Sequence, residues 1–384
     1  MSVTTAKGFR AAGVAAGLKS TGAPDLALVL NDGPNDAAAA VFTSNRCKAN
    51  PVLWSERAIA DGRLRSVVLN SGGANCYTGA EGFQVTHATA EEVARLSGLS
   101  PLDVLVCSTG LIGLGLSKEK MLAGVADATA KLRTEGGPEA AEAIRTTDTV
   151  AKQAAITSPG GWSIGGMAKG AGMLAPALAT MLVVITTDAQ VEPSALDSAL
   201  RAATRVTFDR LDSDGCQSTN DTVVLMSSGA SGVTPDLIEF AAAVTEVCRD
   251  LALQLLADAE GADHEIAIEV RGAVTEDDAL EVGRSVARSN LFKAAIFGKD
   301  PNWGRILASV GTTRAMFDPA DLDVAMNGVW VCRKSTPAES AEGIDLSGRA
   351  VSVTIDLKSG PETATVWTND LTHAYVHENS AYSS

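Results

Sequence analysis

Hydrophobic and polar positions along the chain follow two patterns, one typical of buried strands and the other of amphipathic helices. Short apolar runs predict buried strands at 66–70, 103–110 and 181–189, and the first two of these runs end in small or polar residues. Apolar positions spaced three and four residues apart predict helices over 85–97, 117–133, 137–145, 194–206 and 235–259.

The last part of the chain has the two-residue alternation of strands. It runs through 351–357 and 362–368, and a Ser-Gly pair at 359–360 lies between the two runs, which predicts a hairpin. Strands and helices are mixed throughout, so we expect an α/β or α+β protein with a layered arrangement. The 384 residues are more than one small core organises, which favours two lobes or domains.

Composition narrows the classes of partner. The formal net charge of −15 disfavours nucleic acid and anionic membrane surfaces. No run approaches the ~18 consecutive apolar residues of a membrane span. The six cysteines are scattered without a CxxC pair, which disfavours a disulfide framework. We therefore expect a cytoplasmic protein with no nucleic-acid and no membrane partner.

Common catalytic signatures are absent from the chain. There is no GxSxG nucleophile elbow and no GxGxxG fingerprint after a strand. His373 and His377 lie four positions apart, but no HExxH motif or cysteine ligand set accompanies them, so we predict no metal site and no cofactor. With four histidines in all, a histidine-based triad has little support.

One glycine-rich segment, 165–182, has the sequence GGMAKGAGMLAPALATML. By itself it predicts a loop that leads into a buried strand. Lys169 is nevertheless its one charged residue, and an unpaired buried lysine is costly, so we expect an anionic partner or ligand for it. Thr180 lies between Ala179 and the apolar run that follows.

This segment resembles the self-processing segment of the ornithine acetyltransferase family, the glutamate N-acetyltransferases of arginine biosynthesis. Further blocks resemble the same family, in the same order, over nearly the whole chain. They are LNSGGANCYTG at 69–79, CSTGLIG at 107–113, IRTTDT at 144–149, STND at 218–221, DPNWGRILASVG at 300–311 and ENSAYSS at 378–384.

The resemblance implies a layered αββα fold similar to that of N-terminal-nucleophile hydrolases, with different connectivity. It implies that the precursor cleaves itself between Ala179 and Thr180 into chains 1–179 and 180–384, and that two copies of each assemble into a heterotetramer. The implied reaction moves an acetyl group from N2-acetyl-L-ornithine to L-glutamate in a ping-pong sequence. Whether acetyl-CoA is a second donor stays open.

The resemblance also assigns catalytic roles. Thr180 is the expected nucleophile, and cleavage would give it an α-amino group with an ordinary pKa of ~7.7–8.0, suited to act as its base. The threonine β-branch restricts rotation of the side chain that carries the hydroxyl. The Thr109 side chain and the Gly110 amide are the expected oxyanion donors, although their pattern alone predicts no more than a strand-end turn.

Substrate binding is carried over residue by residue. The matching positions are Thr146, Lys169, Thr180, Glu260, Asn379 and Ser384. We expect Lys169 to bind a substrate carboxylate and Glu260 an amine. Without the resemblance, the pattern around Glu260 predicts a solvated helix end, and the last residues are predicted to form a frayed tail. The segment 211–219 departs from the expected pattern at Cys216 and Gln217, and its role is left unassigned.

Three other functions compete with this hypothesis. A related self-processing aminopeptidase or amidase would hydrolyse its substrate instead of transferring an acyl group. A non-catalytic binding scaffold would keep the chain uncut. An acetyltransferase of secondary metabolism would use similar substrates in another pathway.

Overall fold

The computed structural model describes residues 1–174 and 181–381, and it confirms the predicted mixture of strands and helices. In chain order the strands are β1 (Phe9–Val14), β2 (Leu26–Asn31), β3 (Ala38–Phe42), β4 (Ser66–Asn70), β5 (Val104–Ser108), β6 (Lys152–Thr157), β7 (Ser163–Lys169), β8 (Leu182–Thr187), β9 (Thr222–Ser227), β10 (Glu265–Ala273), β11 (Asp323–Met326), β12 (Val329–Arg333), β13 (Thr336–Pro337), β14 (Ala350–Asp356) and β15 (Glu362–Asn369). The helices are α1 (Asn50–Ala58), α2 (Gly79–Ser97), α3 (Lys118–Ala130), α4 (Gly137–Ala143), α5 (Pro193–Arg205), α6 (Leu237–Ala257), α7 (Glu276–Ala287), α8 (Asn290–Phe297), α9 (Trp303–Val310) and α10 (His373–Ala381).

Two sheets pack face to face in the first lobe. One has the strand order β1-β2-β4-β5 and the other β3-β9-β8-β7-β6. The two-residue period of the strands explains the packing, because alternate side chains point to opposite faces. In β2, Ala27 and Val29 join the core between the sheets, whereas Leu26 and Leu28 face α2 and α3.

The second sheet repeats this arrangement on its own side. In β8, Leu182 and Val184 contribute to the core between the sheets, whereas Val183 and Ile185 pack against α5 and α6. The layers are therefore helix, sheet, sheet and helix, which confirms the expected αββα sandwich.

A second lobe surrounds a sheet of order β13-β12-β11-β14-β10-β15, which shares a separate core with α7, α8 and α9. Here the predicted hairpin is wrong. Strand β10 lies between β14 and β15, parallel to the first and antiparallel to the second. The alternation in 351–357 and 362–368 identified both strands correctly, but it carries no information on which strand lies beside each.

Helix α6 connects the first lobe to the site. The Asp236 side chain accepts the amide hydrogens of Ile238 and Glu239 and so caps the helix start. The predicted apolar stripe is buried from Val244 onward, while Leu237 at the first turn is 55% exposed.

In the part of the chain that the structure describes, no helix is both long and apolar enough to cross a bilayer.

Candidate active site

Three predicted site residues meet where one strand of each packed sheet ends beside a loop. Thr109 directly follows β5, Lys169 ends β7, and Thr146 lies between α4 and β6. The Lys169 ammonium donates hydrogen bonds to the Thr146 hydroxyl at 2.8 Å and to the Thr109 hydroxyl at 3.2 Å. Three separate sequence blocks thus supply one polar centre.

Lys169 is buried, with 1% of its surface exposed. The expected anionic partner is Asp148, whose Oδ2 lies 4.0 Å from the lysine Nζ. Burial lowers the pKa of Lys169, and nearby carboxylates, Asp148 foremost, oppose that shift only in part. The charges of Asp221 and Glu260 act in the same direction as Asp148. Lys169 is thus a buried lysine whose nearest described carboxylate is that of Asp148.

Asp148 itself was not assigned from the sequence, although it belongs to the IRTTDT block. Its fully buried carboxylate accepts the amide hydrogens of Gly170 at 2.6 Å and Thr146 at 3.0 Å, and it forms an ion pair with Lys152 at 2.7 Å. Burial opposes ionisation, but the charges of Lys169 and Lys152 together with these hydrogen bonds hold the pKa of Asp148 well below its usual value. The sequence held one signal for Asp148: it is an acidic residue two positions after Thr146, which is predicted to bind substrate.

A second carboxylate extends this network. Lys152 also forms an ion pair with Asp258 at 2.5 Å, in the turn after α6, and Asp258 accepts the Thr149 amide hydrogen at 2.9 Å. The network therefore ties the loop that carries Thr146 to the turn that carries Glu260.

The predicted oxyanion pair lies in a tight strand-end turn. The Thr109 amide donates to the Asn70 carbonyl at 2.9 Å, which fixes the turn against the end of β4. Gly110 has φ +131°, and a Cβ there would lie 2.8 Å from the Gly73 amide nitrogen. A side chain is therefore excluded, because both the backbone conformation and the approach of residue 73 require glycine. The close approach of Gly73 to Gly110 is thus a physical reason for the blocks 69–79 and 107–113 to occur together.

Glu260 and Asn379 are also brought together. The Asn379 side-chain amide, on α10, donates to Glu260 Oε2 at 3.0 Å. The Glu260 amide donates to the Ala171 carbonyl at 2.9 Å, and a Cβ at Gly172 would lie 2.6 Å from Glu260 Oε2. The glycine-rich segment after Lys169 thus makes room for the Glu260 carboxylate, and the last helix of the chain returns to the site.

Open space adjoins these groups. A cavity of about 500 Å³ is lined by Thr146 and Glu260, and another of about 470 Å³ by Thr146 and Gly110. Thr146 lines both, so one residue borders the space beside the predicted oxyanion turn and the space beside the predicted amine-binding carboxylate. Volumes of this order suit small-molecule ligands. Three predicted residues, Ala179, Thr180 and Ser384, lie outside the described residues.

The fold and the site together define an αββα sandwich with a buried polar centre at the ends of its strands. Comparison with known proteins then gives the family. A model of the ArgJ family matches residues 10–384, and the chain belongs to that family.

Two relatives are similar in sequence to this chain over its whole length. The "arginine biosynthesis bifunctional protein ArgJ" of Streptomyces avermitilis is 63% identical over 384 residues, which is all of both chains. The protein of the same name from Mycobacterium tuberculosis is 55% identical over all of this chain and 96% of its own. A crystal structure of ornithine acetyltransferase complexed with ornithine, also from M. tuberculosis, has 54% identity and covers 47% of this chain and 96% of that chain, with a TM-score of 0.45.

Proposed function

We propose that this chain is a self-processing acetyltransferase of arginine biosynthesis that moves an acetyl group from N2-acetyl-L-ornithine to L-glutamate. Family membership and the shared name of its full-length relatives support the pathway. The observation that carries the chemistry is the buried Lys169 ammonium, which donates to the hydroxyls of both Thr109 and Thr146. Because Thr109 accepts this bond, its own hydroxyl hydrogen is left to donate, as an oxyanion donor must.

Self-cleavage comes first in the proposed sequence. The Thr180 hydroxyl attacks the Ala179 carbonyl, the peptide C–N bond breaks as an ester forms, and water hydrolyses the ester. The products are chains 1–179 and 180–384, and the second begins with a free α-amine beside its own hydroxyl. That amine replaces the histidine of a triad as the general base.

Transfer follows in two balanced steps. Thr180 Oγ attacks the acetyl carbonyl of N-acetylornithine, the amide C–N bond breaks, and ornithine leaves with the proton on its amine. The glutamate α-amine then attacks the acetyl-threonine ester, which releases N-acetylglutamate and restores the hydroxyl. Each tetrahedral oxyanion is stabilised by the Thr109 hydroxyl and the Gly110 amide, donors worth about 3–4 kcal/mol each in other enzymes.

The remaining residues bind substrate in this proposal. Lys169 attracts the carboxylate, and Glu260, oriented by Asn379, attracts an amine. Thr146 lines the space between them, and the terminal Ser384 completes the site. The active assembly is a heterotetramer of two copies of each chain.

Processing is tested by denaturing mass spectrometry of wild type, Thr180→Ala and Thr180→Ser, all purified side by side. We expect two wild-type fragments that join at residues 179 and 180, an intact Thr180→Ala chain, and cleavage retained in Thr180→Ser because the hydroxyl remains. An uncut wild-type chain would reject the mechanism and favour the binding scaffold.

Transfer is tested with N-acetylornithine labelled in the acetyl group. We expect label in N-acetylglutamate when glutamate is present, and, without glutamate, exchange of separately labelled ornithine into N-acetylornithine, as a ping-pong sequence requires. Release of labelled acetate without an acceptor would indicate an amidase instead. Replacing the donor by labelled acetyl-CoA in the same assay decides whether the thioester is a second donor.

A further inference from the structure

One short stretch of chain holds the backbone on both sides of the segment that the proposed cleavage would cut. On the upstream side, the Ser213 amide donates to the Leu174 carbonyl at 2.5 Å, and the Met173 amide donates to Asp214 Oδ2 at 2.6 Å. On the downstream side, the Met181 amide donates to Asp221 Oδ1 at 3.1 Å. Residues 213–221 therefore contact the last described residues before the cut and the first one after it.

The upstream contact holds a strained conformation. Met173 has φ +56°, in the left-handed region that side chains other than glycine rarely adopt. Asp214 satisfies the Met173 amide with Oδ2 and the Cys216 amide, at 3.2 Å, with Oδ1. Both carboxylate oxygens are thus committed to backbone amides, so the side chain determines where residue 173 lies.

The downstream contact lies where the adjacent strands β8 and β9 begin. Asp221 is fully buried and directly precedes β9, and the Thr222 amide donates to the Met181 carbonyl at 3.1 Å. Met181 is therefore held at both its amide and its carbonyl. Burial raises the pKa of Asp221 well above its usual value, against the hydrogen bond from the Met181 amide. Retaining a buried acid there is costly, which argues for a function beyond packing.

Intramolecular attack of a side chain on the preceding carbonyl depends steeply on geometry, and misplacement by about 1 Å costs on the order of 100-fold in rate. We propose that Asp214 and Asp221 are positioning residues for self-cleavage. They fix the backbone at Met173 and Met181, and so place the Ala179–Thr180 bond, which lies between them in sequence, where the Thr180 hydroxyl attacks it. This inference rests on the proposed function, and it assigns a role to residues of the segment 213–221.

The experiment is cell-free synthesis with labelled methionine, followed over time by denaturing gel electrophoresis of the full chain. We expect Asp221→Ala and Asp214→Ala to cleave about 10- to 100-fold more slowly than wild type. Asp221→Asn keeps a carbonyl oxygen for the Met181 amide, so we expect it to cleave within about threefold of wild type. That rescue distinguishes backbone positioning from a need for an ionisable acid.

Asp188→Ala is the matched control. Asp188 is 2% exposed and accepts the amide hydrogens of Lys7 at 3.0 Å and Ser163 at 2.7 Å, at the opposite end of β8 from Met181. The substitution removes a buried acceptor similar to those of Asp214 and Asp221. The melting temperature of Asp188→Ala should therefore fall as in the test variants, while its cleavage stays at the wild-type rate. If Asp221→Ala is recovered only as insoluble protein, Asp214→Ala decides alone.

Two results would overturn the inference while the proposed function stands. One is wild-type cleavage rates in both alanine variants. The other is slowing in Asp188→Ala equal to theirs, which would trace the effect to general destabilisation. A wild-type chain that never cleaves would instead reject the proposed function itself, so the two failures are distinguishable.

Discussion

The buried ion-pair network beside Lys169 offers a sharp test of how this site is held together, and Asp148→Asn is the perturbation. The substitution keeps the shape of the side chain and removes its charge. The carboxylate has no exposed surface, pairs with Lys152 at 2.7 Å and lies 4.0 Å from Lys169. Asparagine would leave both ammonium groups buried with one fewer anion.

The expected loss of unfolding free energy depends on the ion pairs that remain after the substitution. Removing one partner of a buried ion pair costs about 3–5 kcal/mol, because the other charge stays desolvated. Lys152 keeps Asp258 at 2.5 Å, which places the expected loss near the lower end, about 3 kcal/mol. Asp188→Asn is the control, since Asp188 accepts two backbone amides without an ion pair in the described structure, and its loss should be about 1–2 kcal/mol.

The assay is urea unfolding in a Thr180→Ala background, in which the hydroxyl of the proposed cleavage is removed. Because the folded-state pKa of Asp148 lies below its unfolded value of about 3.9, its stabilisation is fully present above that value and is lost as the pH falls toward the folded pKa. The difference between the parent and Asp148→Asn should therefore stay constant from pH 7 to about pH 5 and shrink below about pH 4. A loss no larger than that of Asp188→Asn at pH 7 would refute the reasoning.

Three further predictions follow from particular contacts. Gly172→Ala places a Cβ 2.6 Å from Glu260 Oε2, so in the proposed reaction the KM for N-acetylornithine should rise about 10-fold or more, while Gly348→Ala, where a Cβ meets nothing within 4 Å, leaves it unchanged. The two chains of the proposed cleavage should coelute in gel filtration without denaturant, because β7 and β8 pair antiparallel across the proposed cut; separation in native buffer would contradict this. Burial raises the pKa of Asp212 to about 6, although the charge of Arg288 opposes this shift, so stability should fall by about 2 kcal/mol as the pH rises from about 4 to about 6; urea unfolding of Asp212→Asn should lack that fall, and an unchanged pH profile would contradict the assignment.

The sequence determined the local elements well, because periodicity reports directly which side chains are buried. Strands β4, β5 and β8 and helix α6 lie where the apolar patterns predict them. The family blocks also selected Thr109, Thr146 and Lys169, which the fold brings into hydrogen-bond contact. Physical reasoning alone predicted an anion near a buried Lys169, and Asp148 is that anion.

Tertiary structure alone decided which distant groups are partners. The pairing of Lys152 with Asp258 spans 106 positions, and strand β10 separates two strands that are close in sequence. Local patterns cannot encode either result, because hydrophobic period fixes the face of an element and not its neighbour. A buried charge requires a counter-charge, but the packed elements determine which one it meets.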